Sequence, residues 1–164
     1  MPVLIIKPAE IHIEEIAEIC STGWKQTVEG KLSEEYQEQN VAFWYNHERI
    51  KNDLEAGFYT HVALIDSDVA GVIGGGITSP GVSEVFMLYV AETYRYQGIG
   101  RQLLDALTGL QKEQGALVQW VSVQEDNERG IPFYEARGFK LQGKKIEQTD
   151  TGEDQVSLRY MRKI

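Results

Sequence analysis

The sequence has little cysteine and no long apolar run, and each shortage excludes a class of protein. Cys20 is the only cysteine in 164 residues, so an internal disulfide framework and a metal site of several thiolates are both excluded. No segment approaches the roughly 20 apolar residues of a membrane-spanning helix. The apolar run from Val3 to Ile6 is too short for a secretory signal. We therefore expect one cytoplasmic domain over residues 1–164, with no insertion into a membrane.

Basic residues are also scarce, and this argues against nucleic acid as a partner. The chain has 16 Lys and Arg against 25 Asp and Glu, a net charge of −9. Proteins that bind nucleic acid need a basic surface that displaces the counterions of the phosphates. A cationic substrate is compatible with the acidic charge, although net acidity commonly serves solubility.

The apolar periodicity predicts an α/β domain with a mixed sheet. The run Glu84–Val90 is almost continuously apolar, which predicts a strand at the centre of the sheet that is buried on both faces. The other predicted elements are strands at 3–7, 59–65, 69–78, 117–123, 139–146 and 155–162, helices at 10–22, 98–115 and 127–137, and a helical region at 33–57.

Glycines cluster at two places in the sequence, and we expect them to have a different structural role at each. Gly71, Gly74, Gly75 and Gly76 lie inside a predicted strand, where glycine marks a bulge or a close approach of two backbones. The segment 95–101, RYQGIGR, instead follows the central strand and opens a helix. A helix N-terminus presents unpaired N–H groups and a positive dipole end, so this loop predicts a pyrophosphate site flanked by arginines.

The segment does not match the signatures of two known nucleotide-binding loops. A Walker loop ends in Gly-Lys-Ser/Thr, whereas this loop ends in Gly100-Arg101-Gln102. A dinucleotide fingerprint needs a third glycine where Leu103 stands. A nucleotide-binding domain is therefore disfavoured.

The loop resembles the signature of the GCN5-related N-acetyltransferase (GNAT) superfamily, Arg/Gln-x-x-Gly-x-Gly/Ala, through Arg95, Gly98 and Gly100. A second resemblance follows downstream, where Asn127, Phe133-Tyr134 and Gly138-Phe139 are similar in order and spacing to the family's Asn…Tyr…Gly-Phe segment. The resemblance implies a single-domain GNAT-like fold, with a mixed, mostly antiparallel sheet of about seven strands flanked by about four helices. It also implies acetyl-CoA as co-substrate, no metal, and transfer of the acetyl group to a primary amine by direct attack in a ternary complex.

The resemblance further implies which residues bind acetyl-CoA. The backbone of the central strand would pair with the pantetheine arm, the loop amides would bind pyrophosphate, and the matching Asn and Tyr would lie near the thioester. The implied residues are Leu88, Tyr89, Val90, Arg95, Tyr96, Gln97, Gly98, Ile99, Gly100, Arg101, Asn127 and Tyr134. Asn127 and Tyr134 share a helix face only if their helix is continuous, and Pro132 fits best if the helix begins near Gly130 or Ile131.

Two residues are candidates for proton transfer. Tyr134 matches the family's usual general acid, which would protonate the departing thiolate; the alternative is an aromatic residue packed in the core. Glu84 resembles an acidic position that some relatives use as general base. Glu125 and Asp126 would serve equally, and a solvated carboxylate is the other interpretation of Glu84.

The amine acceptor stays open at this point. A polyamine, an amino acid, an antibiotic amine and a protein N-terminus or lysine all fit the sequence, and a homodimer is expected because relatives often pair. The main alternative is a non-catalytic acyl-CoA sensor or scaffold module. No role is assigned to the aromatic residues Trp24, Tyr36, Trp44 and Tyr45 or to the histidines His12, His47 and His61.

Overall fold

The protein forms a seven-stranded mixed sheet with helices on both faces, in a computed structural model that describes residues 2–164. The strands are β1 Leu4–Ile6, β2 His61–Ile65, β3 Asp68–Ser79, β4 Val82–Val90, β5 Val118–Gln124, β6 Lys140–Gln148 and β7 Asp154–Lys163. The helices are α1 Ile13–Val28, α2 Glu34–Trp44, α3 His47–Glu55, α4 Ile99–Glu113 and α5 Gly130–Ala136. The α/β class and the seven strands are confirmed, with five helices where about four were expected. No helix within residues 2–164 is long and apolar enough to cross a membrane.

The sheet has the order β1-β2-β3-β4-β5-β7-β6, so β4 lies at its centre as predicted. Strands β4 and β5 form the parallel pair, and their pairing extends only from Val82–Val118 to Val85–Val121. Beyond this point β4 continues to Val90, paired with β3 alone, and β5 continues to Gln124, paired with β7 alone. The two central strands therefore part at their C-terminal ends and open a gap in the sheet.

Helices cover the two faces of the sheet with separate cores. On one face α4 buries Ile99, Leu103 and Leu107 in a cluster that also contains Tyr134 and Phe139. On the other face the cluster includes Ile13, Ile16 and Cys20 of α1, with Ile50 of α3. The apolar residues of α1 and α4 recur three or four positions apart, which gives each helix one buried side.

The predicted helical region at 33–57 is two helices rather than one. Ser33 caps α2 as expected, with its hydroxyl accepting from Tyr36 N at 3.2 Å. Asn46 adopts an extended conformation and its side chain accepts from Arg49 N at 2.8 Å, which starts α3. A capping residue inside an apolar pattern ends one helix and begins another, because its side chain replaces an intrahelical acceptor. Helix α1 also continues beyond the predicted Thr22 to Val28.

The glycines of β3 allow close backbone approach, as predicted. A Cβ atom at Gly74 would lie 1.9 Å from Phe58 O, and one at Gly75 would lie 2.3 Å from Glu84 O. The β3–β4 register shifts at this place, since Gly74 pairs with Met87 and Gly75 with Val85. Phe86 is therefore an extra residue, and β4 carries a bulge where the sheet begins to open.

The expectation that β4 is buried on both faces is wrong for its second half. Phe86 is 43% exposed and residues 87–90 are only partly buried. The reason is the parting of β4 and β5, because no neighbouring strand follows this side of β4. The apolar run lines a cleft instead of a closed core.

Candidate active site

A single large cleft, with a volume of about 1150 Å³, runs through the gap between β4 and β5. One end is formed by the loop before α4 and by α5, and the other by side chains from α1, α2 and α3. Of the predicted site residues, Glu84, Leu88, Tyr89, Val90, Arg95, Tyr96, Gly98, Ile99, Gly100, Arg101, Asn127 and Tyr134 all line this cleft. Gln97 is exposed and is not among the lining residues.

The loop before α4 has the geometry of an anion site. Gly98 has φ of 81°, and nothing lies within 4 Å of the place where a Cβ would stand. Tyr96 also has positive φ, at 63°, which is uncommon for a residue other than glycine. The first helical hydrogen bond runs from Gln102 N to Gly98 O at 3.1 Å. The amides of Ile99, Gly100 and Arg101 therefore have no intrahelical acceptor, and backbone in this alternating conformation forms a concave group of N–H donors.

Arg95 joins the loop to the central strand and to α1. Its Nε donates to Val90 O at 3.1 Å and its guanidinium donates to Gln26 Oε1 at 2.7 Å. Glu92 lies 3.7 Å away. Burial and the neighbouring Arg129 guanidinium lower the pKa of Arg95. Arg129 was not among the predicted site residues, although it follows Asn127 by only two positions.

Tyr134 is buried at the floor of the cleft. Its ring packs edge-on against Phe133 and Phe139, with centroid distances of 5.1 and 5.2 Å. Burial raises the pKa of Tyr134, and no neighbouring cation opposes the shift. The phenol is therefore protonated at neutral pH and is a proton donor that adds no charge to the core. The ring is packed in the core and the residue also lines the cleft, so packing does not exclude the predicted role of Tyr134 as general acid.

Asn127 reaches the same cleft for a reason other than the predicted one. Helix α5 begins at Gly130, so Asn127 lies outside it and the two residues do not share a face of one helix. The Asn127 Oδ1 accepts from Gly130 N at 2.9 Å and from Arg129 N at 3.2 Å. This turn starts α5 and places Pro132 third in the helix, within the first turn, where proline is tolerated.

Glu84 is the candidate base that lines the cleft. Its two carboxylate oxygens accept from the two terminal nitrogens of Arg159, at 3.0 and 2.9 Å. Glu125 and Asp126 are outside the cleft lining, and Asp126 pairs with Lys31 at 3.1 Å. The geometry thus separates three carboxylates that the sequence left equal.

The far end of the cleft is aromatic. Trp24, Tyr36, Trp44 and Tyr45, which had no assigned role, all line it, as do Phe58 and Phe86, whose rings are 5.8 Å apart. Arg49 also lines this end, with its guanidinium 4.3 Å from the Trp44 ring and its Nε 3.0 Å from Asp53. The sequence gives no separate signal for these residues, because aromatic residues of a core and of a cleft have the same helical spacing. Within residues 2–164, no three His, Cys, Asp or Glu side chains are grouped so that they could hold a metal.

Comparison with known proteins now identifies the family. The sequence profile of the acetyltransferase (GNAT) family matches residues 15–139. The chain belongs to the GNAT family. Members use acetyl-CoA as acyl donor, so acetyl-CoA is the co-substrate of this GNAT protein.

Relatives of this GNAT protein are similar over its whole length. The spermidine N(1)-acetyltransferase of Thermoplasma acidophilum is 28% identical, over 98% of this chain and 99% of the relative. The crystal structure of the PaiA N-acetyltransferase of T. acidophilum in complex with coenzyme A superposes with a TM-score of 0.82 and 28% identity, covering all of both chains. The Ard1 structure of Thermoplasma volcanium has a TM-score of 0.77 at 21% identity, over 100% of this chain and 99% of that one, which shows the shared fold.

Proposed function

We propose that this protein is an acetyl-CoA-dependent N-acetyltransferase that acts on a primary amine while both substrates are bound. One observation carries the proposal: one cleft joins the anion-binding loop, the edge of β4 that faces β5 and the Tyr134 phenol to an aromatic end that is open to a second substrate. Direct attack requires both substrates side by side, and this cleft has room for both.

The residues of the cleft fit acetyl-CoA. The free amides of Ile99, Gly100 and Arg101 suit the pyrophosphate, and the absence of a side chain at Gly98 leaves the approach open. Leu88, Tyr89 and Val90 keep an edge of β4 that no strand occupies, where an extended pantetheine arm would add like a strand. Acetyl-CoA would supply the acetyl group as a thioester.

Tyr134 and Glu84 would carry the two proton transfers. An amine of ordinary pKa, about 10.4, is mostly protonated at neutral pH and must lose a proton before its nitrogen forms the new C–N bond. Glu84 would take that proton, directly or through water. When the C–S bond breaks, the sulfur takes the electron pair, and the Tyr134 phenol would protonate it. Water in the open cleft would then return a proton to the phenolate and take the proton from Glu84.

A second function, an acyl-CoA sensor without transfer, has one observation in its favour. Both oxygens of Glu84 are engaged by Arg159, whose guanidinium also lies 5.0 Å from the Trp120 ring. A carboxylate held in this way is a poor base unless the substrate rearranges the pair. The two functions predict the same binding of acetyl-CoA and differ only in turnover.

The acceptor that we propose to test first is a polyamine. The curated relative from T. acidophilum carries spermidine in its name, and the chain has a net charge of −9. The aromatic rings of Trp24, Tyr36 and Trp44 also suit a cationic chain through cation–π contacts.

The deciding experiment measures free thiol from acetyl-CoA against a panel of amines. The panel contains spermidine, spermine, amino acids, an aminoglycoside and peptides with a free N-terminus or a lysine. An enzyme releases thiol with at least one acceptor, whereas binding of acetyl-CoA with no thiol from any acceptor supports the sensor.

The role of Glu84 is tested with a matched pair of variants. Glu84→Gln removes the carboxylate. Arg159→Gln breaks the same ion pair but leaves the Glu84 carboxylate in place. If Glu84 is the base, Glu84→Gln lowers kcat about 100-fold or more while Arg159→Gln retains most activity. Equal losses in the two variants would show that the ion pair, and not the carboxylate, is what the reaction needs.

A further inference from the structure

Two arginines from different parts of the fold meet at one oxygen atom. Arg95, in the loop after β4, and Arg129, immediately before α5, both donate to Gln26 Oε1 on α1, at 2.7 and 2.9 Å. The two donating nitrogens therefore lie within about 5.6 Å of each other. Both guanidiniums line the cleft at the end that holds Gly98 and Gly100.

Only one of the two cations has a carboxylate partner. Glu92 lies 3.7 Å from Arg95 and also accepts from the Gln26 amide. No carboxylate of residues 2–164 lies within ion-pair distance of Arg129. Two guanidiniums this close repel each other, and an amide oxygen carries too little charge to offset the repulsion. Arg101 adds a third cation to the same end of the cleft, in a chain whose net charge is −9.

A purely structural role does not explain this arrangement. Helices α1 and α5 pack on opposite faces of the sheet, and a link between them across the gap needs one donor and one acceptor. A neutral side chain at position 129 would make that link without like-charge repulsion. Two guanidinium groups that face the same cleft are instead suited to bind an anion, because a guanidinium can donate two parallel hydrogen bonds to phosphate oxygens.

We propose that Arg95 and Arg129 form a clamp, one guanidinium from each side of the gap, that binds a phosphate group of acetyl-CoA. The inference rests on the proposed function for its ligand and adds a binding residue, Arg129, that neither signature motif includes. Gln26 holds the two guanidiniums together before the ligand arrives. The phosphate is either part of the pyrophosphate or the 3′-phosphate, since both offer the same anionic oxygens.

Calorimetric titration of coenzyme A and of 3′-dephospho-coenzyme A into the full-length protein tests the clamp. The variants are Arg129→Gln, which can still donate a hydrogen bond to Gln26, and Arg129→Lys, which keeps the positive charge but loses the planar pair of donors. Lys112→Gln is the control, because it removes one exposed positive charge near the opposite end of α4. Arg129 is itself exposed, so a thermal melt should show all variants folded.

We expect Arg129→Gln to weaken coenzyme A binding at least tenfold, Arg129→Lys to weaken it less, and Lys112→Gln to leave it within twofold. The same loss with both ligands assigns the clamp to the pyrophosphate, and a loss confined to coenzyme A assigns it to the 3′-phosphate. If Arg129→Gln binds both ligands as tightly as Lys112→Gln does, the clamp is overturned and the proposed function stands. If the wild-type protein binds neither ligand, the proposed function fails as well.

Discussion

Tyr134 combines two properties at the scale of a single residue, a ring packed in the core and a phenol in the cleft. The edge-on contacts with Phe133 and Phe139 hold the ring, and burial raises the pKa of the phenol. A donor of this kind stays protonated across the pH range in which an amine acceptor loses its proton. The residue therefore keeps its proton available for a leaving thiolate and adds no charge to the core before the transfer.

Replacing Tyr134 with Phe separates these two properties. The change keeps the ring and removes the hydroxyl, so kcat should fall more than tenfold while the affinity for acetyl-CoA changes little. Thiol release measured across pH checks this. Tyr160→Phe is the control, since the Tyr160 side chain is also buried but lies outside the cleft lining. A kcat within about threefold of wild type across the pH range would rule out Tyr134 as the acid.

At the scale of elements, the junction between β4 and α4 joins a strand to the anion-binding loop. The parallel pairing ends at Val85, the bulge at Phe86 lies where β4 separates from β5, and positive φ at Tyr96 and Gly98 brings the chain into α4. Each feature is local, but together they direct three free amides into the cleft. The motif Arg95-x-x-Gly98-x-Gly100 could be predicted from the sequence because a position with positive φ, such as Gly98, favours glycine.

The junction can be tested at Gly98 with two residues of nearly the same shape. Asn and Asp both tolerate positive φ and both cap helices, but only Asp adds a negative charge where phosphate would bind. Gly98→Asp should bind coenzyme A at least tenfold more weakly than Gly98→Asn. Its melting temperature should be equal or higher, because a carboxylate stabilises a helix N-terminus by about 0.3–1 kcal/mol. Equal affinities for the two variants would remove the loop from the phosphate site.

At the scale of the whole molecule, the core contains several groups that resist ionisation. Burial raises the pKa of Cys20, Tyr45, Tyr59 and Tyr89, which line or underlie the cleft from the α1 side. In the folded state these groups stay protonated at a pH where the unfolded chain has released its protons. Stability from this source is complete at neutral pH and is lost as the pH rises through the unfolded values, about 8.5 for cysteine and about 10 for tyrosine.

We therefore expect the melting temperature to be level from pH 7 to about 8.5 and to fall with increasing slope above about pH 10. Each group that ionises only in the unfolded state removes about 1.4 kcal/mol per pH unit. Thermal melts across this range measure the effect. In Cys20→Ala, the fall in melting temperature that begins near pH 8.5 should be absent and the steeper fall above pH 10 should remain. The cavity left by the substitution should also lower the melting temperature at pH 7. A flat profile up to pH 11 would contradict the burial of these groups.

The exposed edge of the sheet bears on assembly, and we propose that the protein forms a homodimer there. Strand β6 is exposed along all nine residues, with Leu141 53% and Ile146 64% accessible, and its outer edge has no partner strand within residues 2–164. Its three lysines against one glutamate reduce the repulsion between two copies of an acidic chain. An unpaired edge of this length is costly to leave open.

Light scattering over a range of concentrations tests this assembly. The wild-type protein should have the mass of a dimer, and Ile146→Lys should shift it towards the monomer, with Ile11→Lys as a control at another exposed apolar side chain. A wild-type monomer at every accessible concentration would end the dimer proposal and leave the catalytic one untouched.

The sequence by itself determined the class of fold, the order of the elements and the two motifs, because apolar periodicity, caps and glycines act within a few residues of one another. Glu84, Glu125 and Asp126 looked equal as bases, and Trp24 and Trp44 had no role, until the fold brought them to the cleft or left them outside it. Arg129 and Gln26 are 103 residues apart, and their meeting with Arg95 depends on where β4 and β5 part. Only the tertiary structure decided these contacts, since local sequence carries no record of which distant side chains a strand crossing brings together.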